Sequence, residues 1–175
     1  MHVSGSDGLI GAVFEGRCPE VARRADVPGD SPDKRSGTVK YLILAYGSQR
    51  DYDAMAGRPT DGGPSWTPQD FEAMGTYMEK LNNDLAESGE LVETRGLTAP
   101  VHARRLRQQD GAMVVTDGPY AEAEEVLAGY WVVECDSYDR ATEIATRLFH
   151  VPGPVGAGAD VVIDIRPVAE SRHEL

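Results

Sequence analysis

The pattern of apolar and polar positions changes abruptly at Val39. Val39-Lys40-Tyr41-Leu42-Ile43-Leu44-Ala45-Tyr46 is rich in aliphatic and aromatic residues and reads as a strand. Upstream, residues 1 to about 37 hold Gly, Ser, Pro and Asp with scattered charges and no sustained period of 2 or 3.6. They predict a disordered leader. After the first strand, residues 47–66 carry Gly57, Pro59, Gly62, Gly63 and Pro64. They read as a loop of about 20 residues, long enough to cover a site. Thr67-Pro68-Gln69-Asp70 then starts a helix: Thr67 caps, Pro68 suits the first helical position, and Asp70 bonds back. Phe71, Met74, Met78, Leu81 and Leu85 recur at steps of three and four, giving one apolar stripe that runs to about Ala86. Gly89 is the stop.

Short β-type runs follow. Glu90 to Leu97 is one, and Val101 to Arg107 another. Asp110-Gly111 predicts a hairpin turn into Met113-Val114-Val115. Gly129 to Cys135 is a further strand, and Ser137 to Phe149 a second helix with Tyr138, Ala141, Ile144, Ala145 and Leu148 on one face. Val161 to Ile165 is the last strand. Strand, helix, several strands, helix, strand is the split βαβ order of a ferredoxin-like α+β domain. An antiparallel sheet with both helices on one face and an added hairpin is therefore expected. The expected organisation is a leader over 1–38, one folded domain over 39–168 and a short tail over 169–175.

This sheet has an unusual second face. Tyr41, Ile43 and Ala45 alternate with Leu42, Leu44 and Tyr46, so the first strand is apolar on both sides. Gly129 to Cys135 repeats the pattern, with Tyr130 and Val132 opposed to Trp131, Val133 and Cys135. With both helices on one side, the other side would leave an apolar patch of a kind monomers seldom expose. A symmetric homodimer that pairs two sheets removes it.

Charge narrows the partners. The chain carries a net charge of −12, and residues 39–175 hold 12 Lys or Arg against 23 Asp or Glu. Such a surface repels a phosphate backbone. The only basic cluster, Arg104, Arg105 and Arg107, alternates between strand faces, so no nucleic-acid partner is expected. No apolar stretch approaches the roughly 20 residues of a membrane span, and Gly8 to Phe14 is too short for a secretory signal. Cys18 and Cys135 are the only cysteines; the second falls in an apolar strand as a small buried thiol. A reducing cytoplasm fits this usage. No metal, Walker, dinucleotide or serine-hydrolase motif is present, and no cofactor or metal is expected.

The candidate chemistry gathers at Thr116-Asp117-Gly118-Pro119-Tyr120-Ala121-Glu122, between two apolar runs. Gly-Pro forces a change of direction, and Asp117 either caps that turn or stands at a strand end ready to hold a ligand or move a proton. Arg107 lies across the hairpin from the strand leading to Asp117. It would either lock that carboxylate or hold an acidic ligand beside it. Tyr46, Tyr120, Tyr130 and Trp131 would supply aromatic walls. His102, placed on a strand with Arg104, could bind an anion with it or be solvated.

These motifs, taken together, resemble the YCII-related family, and within it the branch named after an Asp-Gly-Pro-Phe motif. The resemblance rests on Lys40-Tyr41-Leu42-Ile43-Leu44 with Tyr46-Gly47, and on Gly89-Glu90-Leu91-Val92. It continues through Gly96-Leu97 with Pro100, Leu106-Arg107 before Asp110-Gly111, the Asp117 signature with Tyr120 in place of Phe, and Leu127-Ala128-Gly129-Tyr130-Trp131. It covers about 39 to 168 and implies a dimeric α+β barrel-like assembly. Many relatives pair a His on the first helix with an Asp, and that pair underlies a suggested enzymatic function. Here the helix from Thr67 to Ala86 has no histidine, and Met78 lies near the expected place. Relatives also begin with Met directly before Lys-Tyr, so Val39 is the expected start and residues 1–38 an upstream extension. Two functions remain open: a binding domain for a small, acidic molecule near Asp117, and an enzyme using Asp117 as acid/base in a pocket between the first helix and the sheet.

Overall fold

The computed structural model describes residues 37–58, 60, 63, 65–118, 125–157 and 161–171. Residues 1–36 of the leader, with His2 and Cys18, and also Tyr120, Glu122 and His173 lie outside them. Among the described residues, six strands and three α-helices follow in chain order: β1 (Val39–Gly47), α1 (Gln49–Met55), α2 (Pro68–Glu87), β2 (Leu91–Gly96), β3 (Arg104–Gln109), β4 (Ala112–Asp117), β5 (Val126–Cys135), α3 (Tyr138–Thr146) and β6 (Ile163–Pro167). Four strands form one sheet in the order β2-β5-β1-β6, every neighbouring pair antiparallel. This is the ferredoxin-like α+β arrangement. β3 and β4 stand apart as a two-stranded ribbon.

α2 forms where its caps predict. Thr67 Oγ1 accepts from the Asp70 amide, and the Thr67 amide donates to Asp70 Oδ2 at 2.8 Å. At the far end the Glu90 amide returns to the Leu85 carbonyl at 2.9 Å and that of Gly89 to Ala86, a Schellman closure. Met74, Met78, Leu81 and Leu85 are buried against Tyr41, Ile43, Trp131, Val133 and Cys135 of the sheet, with Ala141, Ile144 and Ala145 of α3 completing the core. Both long helices thus cover one face. Arg140 of α3 donates to both carboxylate oxygens of Glu90 at 2.7 and 2.9 Å, tying α3 to the start of β2.

Four sequence expectations need correction. The segment 47–66 is not all loop: Ser48 caps α1 through a box with Asp51, and Tyr52 and Ala54 are buried. His102 is not on a strand with Arg104. It closes a short 3-10 turn, Pro100–His102, because Pro100 sits at its first position and the Ala103 amide bonds back to Pro100. The last strand starts at Ile163 rather than Val161. The second helix ends at Thr146 and tightens into a 3-10 turn, Arg147–His150. No helix among the described residues is long and apolar enough to cross a membrane.

Candidate functional site

The ribbon owes its shape to its turn. Asp110 and Gly111 adopt φ of +50° and +81°, the left-handed pair of a two-residue hairpin loop, which Gly accepts without cost and Asp tolerates. A two-residue loop fixes the register outward from it: Gln109 faces Ala112, Arg107 faces Val114, and Arg104 faces Asp117. Arg104 Nε consequently donates to Asp117 Oδ1 at 2.7 Å. The expected Arg107–Asp117 pair does not form. Arg107 is three residues further up the strand and on the other face of the ribbon. The signal that finds Arg104 is the turn itself, since counting outward from Asp110-Gly111 gives the partner.

Asp117 is an exposed carboxylate, its side chain 68% accessible. The hydrogen bond and charge of Arg104 hold its pKa below the usual carboxylate value. It therefore stays ionised at neutral pH and accepts a proton poorly. It does not lie between the first long helix and the sheet, where Met74, Met78, Leu81 and Trp131 fill the space.

The base of the ribbon is tied firmly. The Gly118 amide donates to the Ala103 carbonyl at 2.8 Å, and a side chain at Gly118 would run into the Pro100 carbonyl. Gln49 Oε1 accepts from the Val101 amide at 3.1 Å, and Tyr52 Oη donates to the Leu97 carbonyl at 2.9 Å. α1 thus fastens the ribbon to the end of the sheet where β1 and β2 finish and β5 begins.

The aromatic candidates divide between two faces. Trp131 is buried on the helix side, where its Nε1 donates to Asn82 Oδ1 at 3.0 Å; it is core and lines no open site. Tyr46 and Tyr130 are half-buried on the uncovered side. Tyr130 Oη donates to Glu93 Oε1 at 3.0 Å, and this bond raises its pKa. Burial, followed by a hydrogen bond to Asp164, raises that of Tyr46. Around them, Leu44 faces Tyr130 and Leu42 faces Val132 across β1 and β5, with Glu93 and Arg95 at one edge and Asp164 and Arg166 at the other. The uncovered face is an apolar centre with a charged rim. Among the described residues, no group of three or more His, Cys, Asp or Glu is placed to hold a metal ion.

A four-stranded antiparallel sheet, two helices on one side and an inserted ribbon define a small ferredoxin-like α+β domain. The YCII-related domain model matches residues 39–162, and the chain belongs to that family. It is 28% identical over 105 residues to the uncharacterised protein R00369 of Rhizobium meliloti (strain 1021), covering 60% of this chain and 81% of that protein.

Proposed function

We propose that the chain is a cytoplasmic, homodimeric binding domain that takes up a small acidic molecule near the Asp117 turn and performs no chemistry on it. The observation that carries this reading is the Arg104–Asp117 pair. An exposed carboxylate whose pKa is lowered by its own guanidinium partner serves as a structural strut at the ribbon base and makes a weak general base. The buried Met78 at the helical place where relatives carry a histidine points the same way. Arg107 is the residue assigned to the ligand: its side chain is exposed, and it stands on the ribbon face opposite the Asp117 strut. The run from Thr116 to Glu122 supports placing the chain in the Asp-Gly-Pro-Phe branch. The apolar centre of the uncovered sheet face supports pairing with a second copy.

A thermal-shift screen of small carboxylic and phosphoric acids tests the reading. An acid that raises the melting temperature of the wild type, is recovered unchanged, and loses its effect in Arg107→Ala while keeping it in Asp117→Ala is the expected result. A bound acid that is consumed by the wild type but survives with Asp117→Ala would establish the enzyme instead.

A further inference from the structure

The open face of the four-stranded sheet carries its charges in a pattern set by the register of the strands. Arg95, Tyr130, Leu44 and Asp164 form one row across β2, β5, β1 and β6. Glu93, Val132, Leu42 and Arg166 form the next, and Glu134 beside Lys40 the third. In each row the charge on the β2–β5 half is opposite in sign to that on the β1–β6 half. Within one chain the ends of the first two rows do not meet, because β2 and β6 are separated by strand spacings that sum to about 14 Å. Each end is tied locally instead: Arg95 Nη2 lies 3.7 Å from Glu93 Oε1, and Tyr46 donates to Asp164.

Opposite signs on the two halves are what self-pairing demands. Under a twofold axis one residue meets a second on the partner while the second meets the first, so a face fits its own copy when its halves complement each other. The rows are also neutral in sum, with Lys40, Arg95 and Arg166 against Glu93, Glu134 and Asp164. Residues 39–175 as a whole hold 12 basic and 23 acidic residues. Two copies therefore approach at this face without the repulsion that their acidic surface imposes elsewhere. Glu125 by Tyr46 and Glu170 by Lys40 stand beyond the three rows.

We propose that two copies pack sheet to sheet about a twofold axis parallel to the strands, with β2 over the partner's β6 and β5 over the partner's β1. Arg95 then meets the partner's Asp164, Glu93 the partner's Arg166, and Glu134 the partner's Lys40. Between these charges Tyr130 packs on the partner's Leu44, and Val132 on the partner's Leu42. An axis across the strands would also bring Glu93 to the partner's Arg95. It would, however, set Lys40 and Glu134 against the partner's Tyr46 and Leu127, leaving both charges without an opposite. This arrangement rests on the homodimer reading above and adds to it the axis and the pairs.

The experiment uses the full chain. Arg95→Glu and Asp164→Arg are purified with different tags, and dimerisation is followed by sedimentation and by capture between tags. Each variant alone sets like charges together twice, and should dimerise about tenfold or more weakly than wild type. Their equimolar mixture should regain the wild-type affinity as a heterodimer, because every contact then joins opposite charges. Arg95→Glu mixed with Glu93→Arg, a couple of the same net charge, should not regain it. Recovery in that second mixture would set the axis across the strands and overturn the proposal. Failure of the first mixture, or single variants as tight as wild type, would overturn it too. Glu93→Arg mixed with Arg166→Glu is read in the same way, and replaces the first couple if one of its members loses the native circular dichroism. A wild-type monomer removes the homodimer reading and the axis together.

Discussion

At the scale of single residues, Arg104 and Arg107 show how much a short turn decides. They are three positions apart on one strand, and either is chemically able to hold Asp117. A two-residue loop at Asp110-Gly111 leaves only one of them opposite it. The pair has a pH signature. The Asp117 pKa lies below the usual carboxylate value near 4, so its contribution to stability is complete above that value. It disappears as pH falls through the lowered one. The urea midpoint of the wild type is therefore expected to exceed that of Asp117→Asn at pH 7. The gap should close in acid, as the pH falls past the usual carboxylate value and through the lowered one; a gap that stays constant throughout that fall would show that Arg104 does not act through the charge. The carboxylate was legible as a turn residue in the sequence. Its partner was not, because placing Arg107 across the hairpin takes no account of the register that the turn imposes.

At the scale of elements, the long capped helix and the hairpin formed as expected, while the short helix α1 and the turn at Pro100 were missed. α2 carries a full apolar stripe between two caps, and its capping box and buried side chains follow from the spacing alone. α1 is seven residues long and has no room for a stripe, so Gly and Pro further along the segment outweighed it. Its one legible mark was Ser48-x-x-Asp51, a capping box with Asp in the third position. Because α1 has few contacts to hold it, the cap matters more there than in α2. Ser48→Ala is expected to cost about 1 kcal/mol in urea unfolding. Through Gln49, which accepts from the Val101 amide, it should also speed amide exchange at Val101, at the ribbon base. Unchanged exchange at that amide would mean that α1 does not fasten the ribbon. His102 belongs to the same lesson: Pro100 converts what looks like the start of a strand into a turn, and removes the histidine from the company of Arg104.

At the scale of the whole molecule, the sheet order was legible because strand and helix alternate in a way few topologies satisfy. The two-sided apolarity of β1 and β5 was also in the sequence, and among the described residues no helix lies over one of those sides. The matching expectation concerns assembly. Leu44→Asp places a carboxylate at the centre of the uncovered face, opposite Tyr130 and Asp164, and should leave the helix-side core untouched. Sedimentation at micromolar concentration should give a wild-type mass twice 18.9 kDa and a mutant of single mass with near-native circular dichroism. A mutant that still dimerises would move the interface elsewhere.

β1 is made early and paired late. It sits between β5 and β6, so Val39 meets Cys135 and Ile43 meets Ile165 across long stretches of intervening chain. On the ribosome, α2 can coil as soon as it emerges, but β1 must wait with both edges bare until the last strands are synthesised. Closing the sheet is therefore a late event that joins the two ends of the domain. A nascent chain stalled before β5 is the form most exposed to pairing with a neighbour.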